Sequence, residues 1–158
     1  MGTASVLMTL DRSSHGPGEE PQAGGTSDVS LTLPARPENV AVVRHVLGAF
    51  AEALQLPDAV IEDMRLTVTE ACTNVVRHAY ADGESGRVEI LIRPVPDAME
   101  IIVSDEGRGI GPSSDTSGPG LGLPLIAALA DSLEIQHRPP AGSRLLMSFL
   151  RRPRLEAV

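Results

Sequence analysis

Apolar and polar residues alternate over "VSLTLPA", with Val29, Leu31 and Leu33 on one side and prolines closing the run, as at the edge of a sheet. From about Pro37 the period changes. Val40, Val43, Leu47, Phe50 and Leu54 recur at steps of three and four, which predicts a helix. After "QLPD", Asp58 stands where it can cap a second helix running to about Tyr80. Its apolar stripe is Ile61, Met64, Val68, Ala71, Cys72 and Val75. The turn "DGESG" precedes two strands, "RVEILIRPVP" and "AMEIIVSDEG", with Val88, Ile90, Ile92 and Met99, Ile101, Val103 each sharing a face. A glycine-rich segment spans Gly107 to Gly122 and leads into a short helix, "LPLIAALAD", where Pro124 fits only within the first turn. Two last strands, "SLEIQHR" and "SRLLMSFLRR", flank the turn "PPAG". The order β-α-α-β-β-α-β-β does not alternate strictly. It predicts an α+β, two-layer sandwich: a mixed, mostly antiparallel sheet with its helices on one face.

Composition sets the domain boundaries. The 158-residue chain is long enough for one core. Its first 28 residues, rich in Gly, Pro, Ser and acid, cannot bury apolar area and are expected to be disordered. The folded domain is expected at residues 29–152, followed by a tail at residues 153–158. Arg151, Arg152 and Arg154 at that end read as solubilising charge. There are no internal repeats. Aromatics make up 2% of the chain, so no platform exists for stacking bases. The net charge of −8 opposes binding to DNA or an anionic membrane. It suits a basic protein partner, but taken alone it reads first as an ordinary solubilising surplus. The lone Cys72 excludes an internal disulfide and reads as a small buried residue. With no secretory leader and no long apolar run, the expected compartment is the cytoplasm.

Against this background, "EACTNVVRHAY" stands out. At about 100° per residue, Glu70, Asn74 and Arg77 share one helix face, with His78 at its margin. A solvated face gives the same pattern. Yet Asn is a poor residue for a helix interior, and the trio lies near the end of its helix, where a loop can cover it. "SDEGRGIG" offers a carboxylate, Asp105, at a strand end, beside the bare backbone of Gly107 and Gly109. A hairpin needing positive φ reads the same way. "SGPGLGLPLI" sets Gly118, Gly120 and Gly122 at a helix start, where free N–H groups and the helix dipole suit phosphate. No Walker lysine accompanies it. Its counter-charge is then most simply Mg²⁺, which favours oxygen ligands such as Asn74 and keeps phosphate oxygens and waters. His15, His45 and His137 show no triad or metal spacing.

Together, ExxxN on a helix, DxGxG after a strand, and a glycine-rich lid leading into GLGL resemble the N, G1 and G2 boxes of the gyrase, heat-shock chaperone, histidine-kinase and mismatch-repair ATPases. "EACTNVVRHAY", "VSDEGRGI" and "GLGLPLIAALAD" are most similar to the small bacterial anti-sigma factors that act as serine/threonine protein kinases. The resemblance runs from about Val29 to Arg152. It implies a histidine-kinase-like ATPase fold, with ATP and Mg²⁺ as cofactors. It also implies a sigma factor and an anti-anti-sigma factor as partners in transcription regulation, and homodimerisation.

Residue by residue, the resemblance implies Glu70 as general base and Asn74 as the Mg²⁺ ligand. Asp105 would accept from the adenine amino group, with Gly107, Gly109 and Ile110 closing around the base. Gly118, Gly120, Leu121, Gly122 and Leu123 would line the phosphates. Arg77 and His78 would complete the ATP site, and Ser143 stands where the family often has a threonine near adenine. The lid "GPSSDTSGPG" departs from the pattern: it carries no Lys or Arg, and its one charge is Asp115. Arg108 and Arg77 are the available substitutes. Glu70 favours a kinase; the lid without a basic residue favours a nucleotide-dependent binding switch with little phosphotransfer. A sensor histidine kinase is disfavoured, because no long helix precedes the domain to carry a phospho-accepting His. A domain that binds no ATP would require three motif coincidences in order.

Overall fold

A computed structural model of the protein describes residues 5–7, 28–108 and 122–152. The elements in chain order are β1 (Ser5–Leu7), β2 (Val29–Pro34), α1 (Pro37–Ala53) and α2 (Asp58–Asn74), the last continuing as a π-helical turn over Val75–Ala79. Beyond them lie β3 (Arg87–Val95), β4 (Ala98–Asp105), α3 (Gly122–Leu129), β5 (Ser132–His137) and β6 (Ser143–Leu150). Every element expected from the periodicity is present and in the expected order.

The strands form one six-stranded sheet in the order β1-β2-β3-β4-β6-β5, and every pairing is antiparallel. The mixed sheet allowed by the sequence is therefore a fully antiparallel one. Alternation decides which face is covered. Leu31, Leu33, Ile90, Ile92, Ile101, Val103, Leu145 and Met147 point to one side and are buried there. Val43, Leu47 and Ala51 of α1, Met64, Val68 and Cys72 of α2, and Ile126 of α3 meet them in a single aliphatic core. Each large side chain removed from water in this way contributes roughly 1.5–3 kcal/mol.

Three local features differ from the sequence expectation. Within the first 28 residues, expected to be disordered, Ser5–Leu7 pairs with β2, Val6 facing Leu31 in register. Residues 8–27 and the tail from residue 153 lie outside the described residues. Asp58 does not cap α2. Pro57 occupies the N-cap position, so Asp58 falls in the first turn, where its charge complements the helix dipole instead. Finally, the α-helical part of α2 stops at Asn74, six residues short of Tyr80, and the interval is wound as a π turn. A π turn adds a residue to the helical repeat and rotates the residues downstream of it. Pro124 lies in the first turn of α3, as its missing N–H requires. No helix among the described residues is long and apolar enough to cross a membrane.

Helices α1 and α2 pack closely because Gly48 leaves room for the Arg65 guanidinium. A Cβ on Gly48 would stand 2.3 Å from Arg65 Nη2. Arg65 uses that space to pair with Glu52 on α1 and Glu62 on its own helix, each at 2.8 Å.

Candidate nucleotide site

The register of the sheet places the first half of the site. Asp105, the last residue of β4, lies opposite Ser143, the first residue of β6. Both are buried, with Asp105 only 3% exposed. A buried carboxylate needs partners, and it has them. The Ser143 hydroxyl donates to Asp105 Oδ2 at 2.5 Å, and the Gly107 N–H donates to Oδ1 at 2.8 Å. Gly142 precedes Ser143 with φ +111°, and a Cβ there would stand 2.2 Å from the Asp105 carbonyl oxygen, so only glycine brings the two strand ends this close. Among the described residues each carboxylate oxygen has one donor, which leaves it a lone pair direction for a ligand donor.

The second half comes from the helices. Glu70 and Asn74 are one turn apart on α2 and partly exposed, as helical spacing predicts. Helix α3 packs on α2, and its first residue, Gly122, lies directly against Asn74. A Cβ on Gly122 would meet Asn74 Nδ2 at 2.9 Å and Oδ1 at 3.1 Å. The Asn74 amide is thus held at the N-terminus of α3, where unpaired N–H groups and the dipole favour an anion. Leu123 packs against the core beside it.

Arg77 and His78 lie in the π turn rather than on the α-helix, and both are exposed. The common face drawn for Glu70, Asn74 and Arg77 assumed an unbroken 3.6-residue period. That period ends at Asn74. Gly109, Ile110, Gly118, Gly120 and Leu121 lie outside the described residues, as does the lid with Asp115. Arg108, one of the substitutes for a basic lid residue, is engaged elsewhere: its N–H donates to the Ala79 carbonyl at 2.8 Å, and Nη2 reaches the Tyr80 carbonyl at 3.4 Å.

Tyr80, which the sequence motifs did not single out, ties the end of the helix to the loop after β4. The Tyr80 hydroxyl donates to the Arg87 carbonyl at 2.6 Å and accepts from the Arg87 and Glu106 N–H groups, both at 3.2 Å. Its signal in the sequence is its singularity, as the lone tyrosine of a chain with almost no aromatics, closing the most polar helical motif.

Three comparisons relate the chain and its fold to known proteins. The family model described as the histidine kinase-like ATPase domain matches residues 33–149. Among curated proteins, the chain is 34% identical to the serine-protein kinase RsbW of Bacillus pumilus, over 81% of this chain and 89% of that protein. It is 34% identical to the serine-protein kinase RsbW of Bacillus subtilis, over 69% of this chain and 78% of that one. Among solved structures, the RsbU and RsbW domains of a Mycobacterium tuberculosis protein superpose with a TM-score of 0.64 at 22% identity, covering 84% of this chain and 35% of that longer one. The histidine kinase domain of a blue-light activated kinase from Erythrobacter litoralis gives a TM-score of 0.53, also at 22% identity, over 68% of this chain and 60% of that one. These structures share the fold. The chain belongs to the histidine kinase-like ATPase family, alongside the RsbW serine-protein kinases.

Proposed function

We propose that this chain is an anti-sigma factor with serine/threonine protein kinase activity. It binds ATP with Mg²⁺, sequesters a sigma factor, and phosphorylates a Ser or Thr of an anti-anti-sigma partner. It works in the cytoplasm, as a homodimer, and regulates transcription through the sigma factor it holds. The family match and the serine-protein kinases it resembles support the activity. The observation that carries the site is the contact of the Asn74 amide with Gly122 at the start of α3, which joins a helix-borne polar pair to an anion-binding helix end.

In this reading adenine binds at Asp105, whose carboxylate is oriented by Ser143 and Gly107 to accept from the exocyclic amine. The phosphates lie toward Gly122, with Gly109, Ile110, Gly118, Gly120, Leu121 and Leu123 completing the enclosure and Arg77 and His78 at its rim. No group of three His, Cys, Asp or Glu side chains is gathered for a metal among the described residues. Asn74 Oδ1 is the protein oxygen that would hold Mg²⁺, an ion that can take its remaining ligands from phosphate and water. When bound, it neutralises phosphate charge. Glu70, one turn before Asn74, takes the proton from the acceptor hydroxyl as its oxygen bonds to the γ-phosphorus. The bond from that phosphorus to the bridging oxygen breaks, and ADP leaves. Such transfer needs positioning and charge stabilisation more than covalent chemistry by the protein.

The test is calorimetric titration of ATP with and without Mg²⁺, then labelled-phosphate transfer to a purified anti-anti-sigma protein. Binding with transfer is the expected result. Binding without transfer would leave a nucleotide-dependent protein switch, and no binding by the folded chain would remove the nucleotide site.

A further inference from the structure

Three consecutive amides come after Asp105, and each has a partner. The N–H of Glu106 donates to the Tyr80 hydroxyl, that of Gly107 to Asp105 Oδ1, and that of Arg108 to the Ala79 carbonyl. The outer two are therefore fastened to the end of the helix that carries Glu70 and Asn74. A phenol hydroxyl has one donor and two acceptor positions. Tyr80 spends all three on two separate segments, the loop after β4 and the first residue of β3. Its ring fills the space over Gly86, where a Cβ would stand 2.2 Å from ring carbons. Behind the ring, the turn leaving Tyr80 is closed by reciprocal bonds between Ala81 and Glu84. Tyr80 lines an open polar cavity of about 410 Å³, so water can reach its hydrogen-bonding partners whenever the ring is displaced.

We infer that Tyr80 is a positioning residue for the nucleotide site. Its hydroxyl sets the Asp105 loop against the end of the catalytic helix, so that the adenine half and the phosphate half act as one rigid cradle. This rests on the nucleotide reading above. Without the hydroxyl, the Glu106 and Arg87 amides turn to water. The loop that orients Asp105 then has to be ordered by the ligand, at the cost of affinity. The packing core is untouched, since the ring remains in Tyr80→Phe.

The experiment is calorimetric titration of ADP with Mg²⁺ into the full chain and into Tyr80→Phe, well below the melting temperature of each. Stoichiometry reports the folded fraction; Kd reports the cradle. The expected result is full stoichiometry with Kd raised about tenfold, the equivalent of one hydrogen bond's ordering moved onto binding. A Kd within about twofold of wild type, or a fall in stoichiometry at unchanged Kd, assigns Tyr80 a purely structural role and overturns the inference. A wild type that binds no ADP overturns the nucleotide reading itself.

Where Tyr80→Phe does not fold, amide exchange on the wild type decides. A rigid cradle requires ADP to slow the Arg87 and Glu106 amides together; slowing at Glu106 alone refutes it.

Discussion

Asp105 and Ser143 face each other across β4 and β6, joined by a 2.5 Å hydrogen bond between two buried side chains. The pair links stability to recognition, because the bond that satisfies the carboxylate also fixes which way it points. Ser143→Ala leaves Oδ2 unpartnered and should cost about 1–3 kcal/mol of stability. Ser143→Thr should retain the bond and the stability. Thermal melts of the two variants check this, and equal losses in both would show that the hydroxyl contributes nothing.

Asn74 and Glu70 separate binding from chemistry. Asn74→Ala should abolish the Mg²⁺-dependent part of ATP affinity. Glu70→Gln should keep ATP binding and reduce phosphotransfer by roughly 10²- to 10⁴-fold, the range for losing a general base. Titration and a transfer assay on the same two preparations test both. Neither substitution changing either readout would return α2 to an ordinary solvated face.

Gly122 reaches the same side chain from the opposite helix. A methyl group there overlaps the Asn74 amide, which sits at the far end of a side chain and can swing away. Gly122→Ala should therefore melt close to wild type and lose nucleotide affinity. Gly107→Ala should behave in the opposite way. Its Cβ would fall 2.0 Å from the Ala79 carbonyl oxygen, a backbone atom that cannot swing. Overpacking of this kind costs about 1–3 kcal/mol, read as a lower melting temperature.

Burial pushes the Cys72 thiol up to about 12 from its ordinary value of 9.0. In the native state at neutral pH it should resist iodoacetamide, because the thiolate is the nucleophile. The unfolded chain ionises first, near 9, while the folded chain keeps its proton. Stability from this source is therefore complete below pH 9 and is lost as pH rises from there toward 12. Denaturant titrations at pH 7.5 and 10 should show a larger fall in wild type than in Cys72→Ala.

What the chain disclosed before folding depended on the range of each signal. The alternation of β2, β3 and β4 and the stripes of α1 and α2 are local and periodic, and their elements formed as expected. Glu70 with Asn74 is likewise local, as is Asp105 with Gly107. The contact of Asn74 with Gly122 spans the glycine-rich segment and was suggested only by the joint presence of two motifs. Tyr80 was illegible because its partners, Arg87 and Glu106, gain meaning only when three segments converge. The π turn was hidden because buried Val75 and Ala79 satisfy a four-residue step as readily as a π repeat. Asp58 was misplaced by one position because a proline rarely takes the N-cap, and Pro57 does.

The π turn also governs which length changes the fold can absorb. Asn74 must meet α3 while Tyr80 meets β3, and the count of residues between them satisfies both at once. A π turn holds one residue more than an α turn, so deleting one residue from Val75–Ala79 would rewind it as α-helix and leave Tyr80 facing Arg87 and Glu106 much as before, whereas deleting two would swing Tyr80 about 100° around the axis. The exposed residues 82–85, which touch neither half of the site, carry no such constraint. Natural length variation between this helix and β3 should therefore collect after Tyr80, and before Tyr80 it should stop at the single residue that the π turn absorbs.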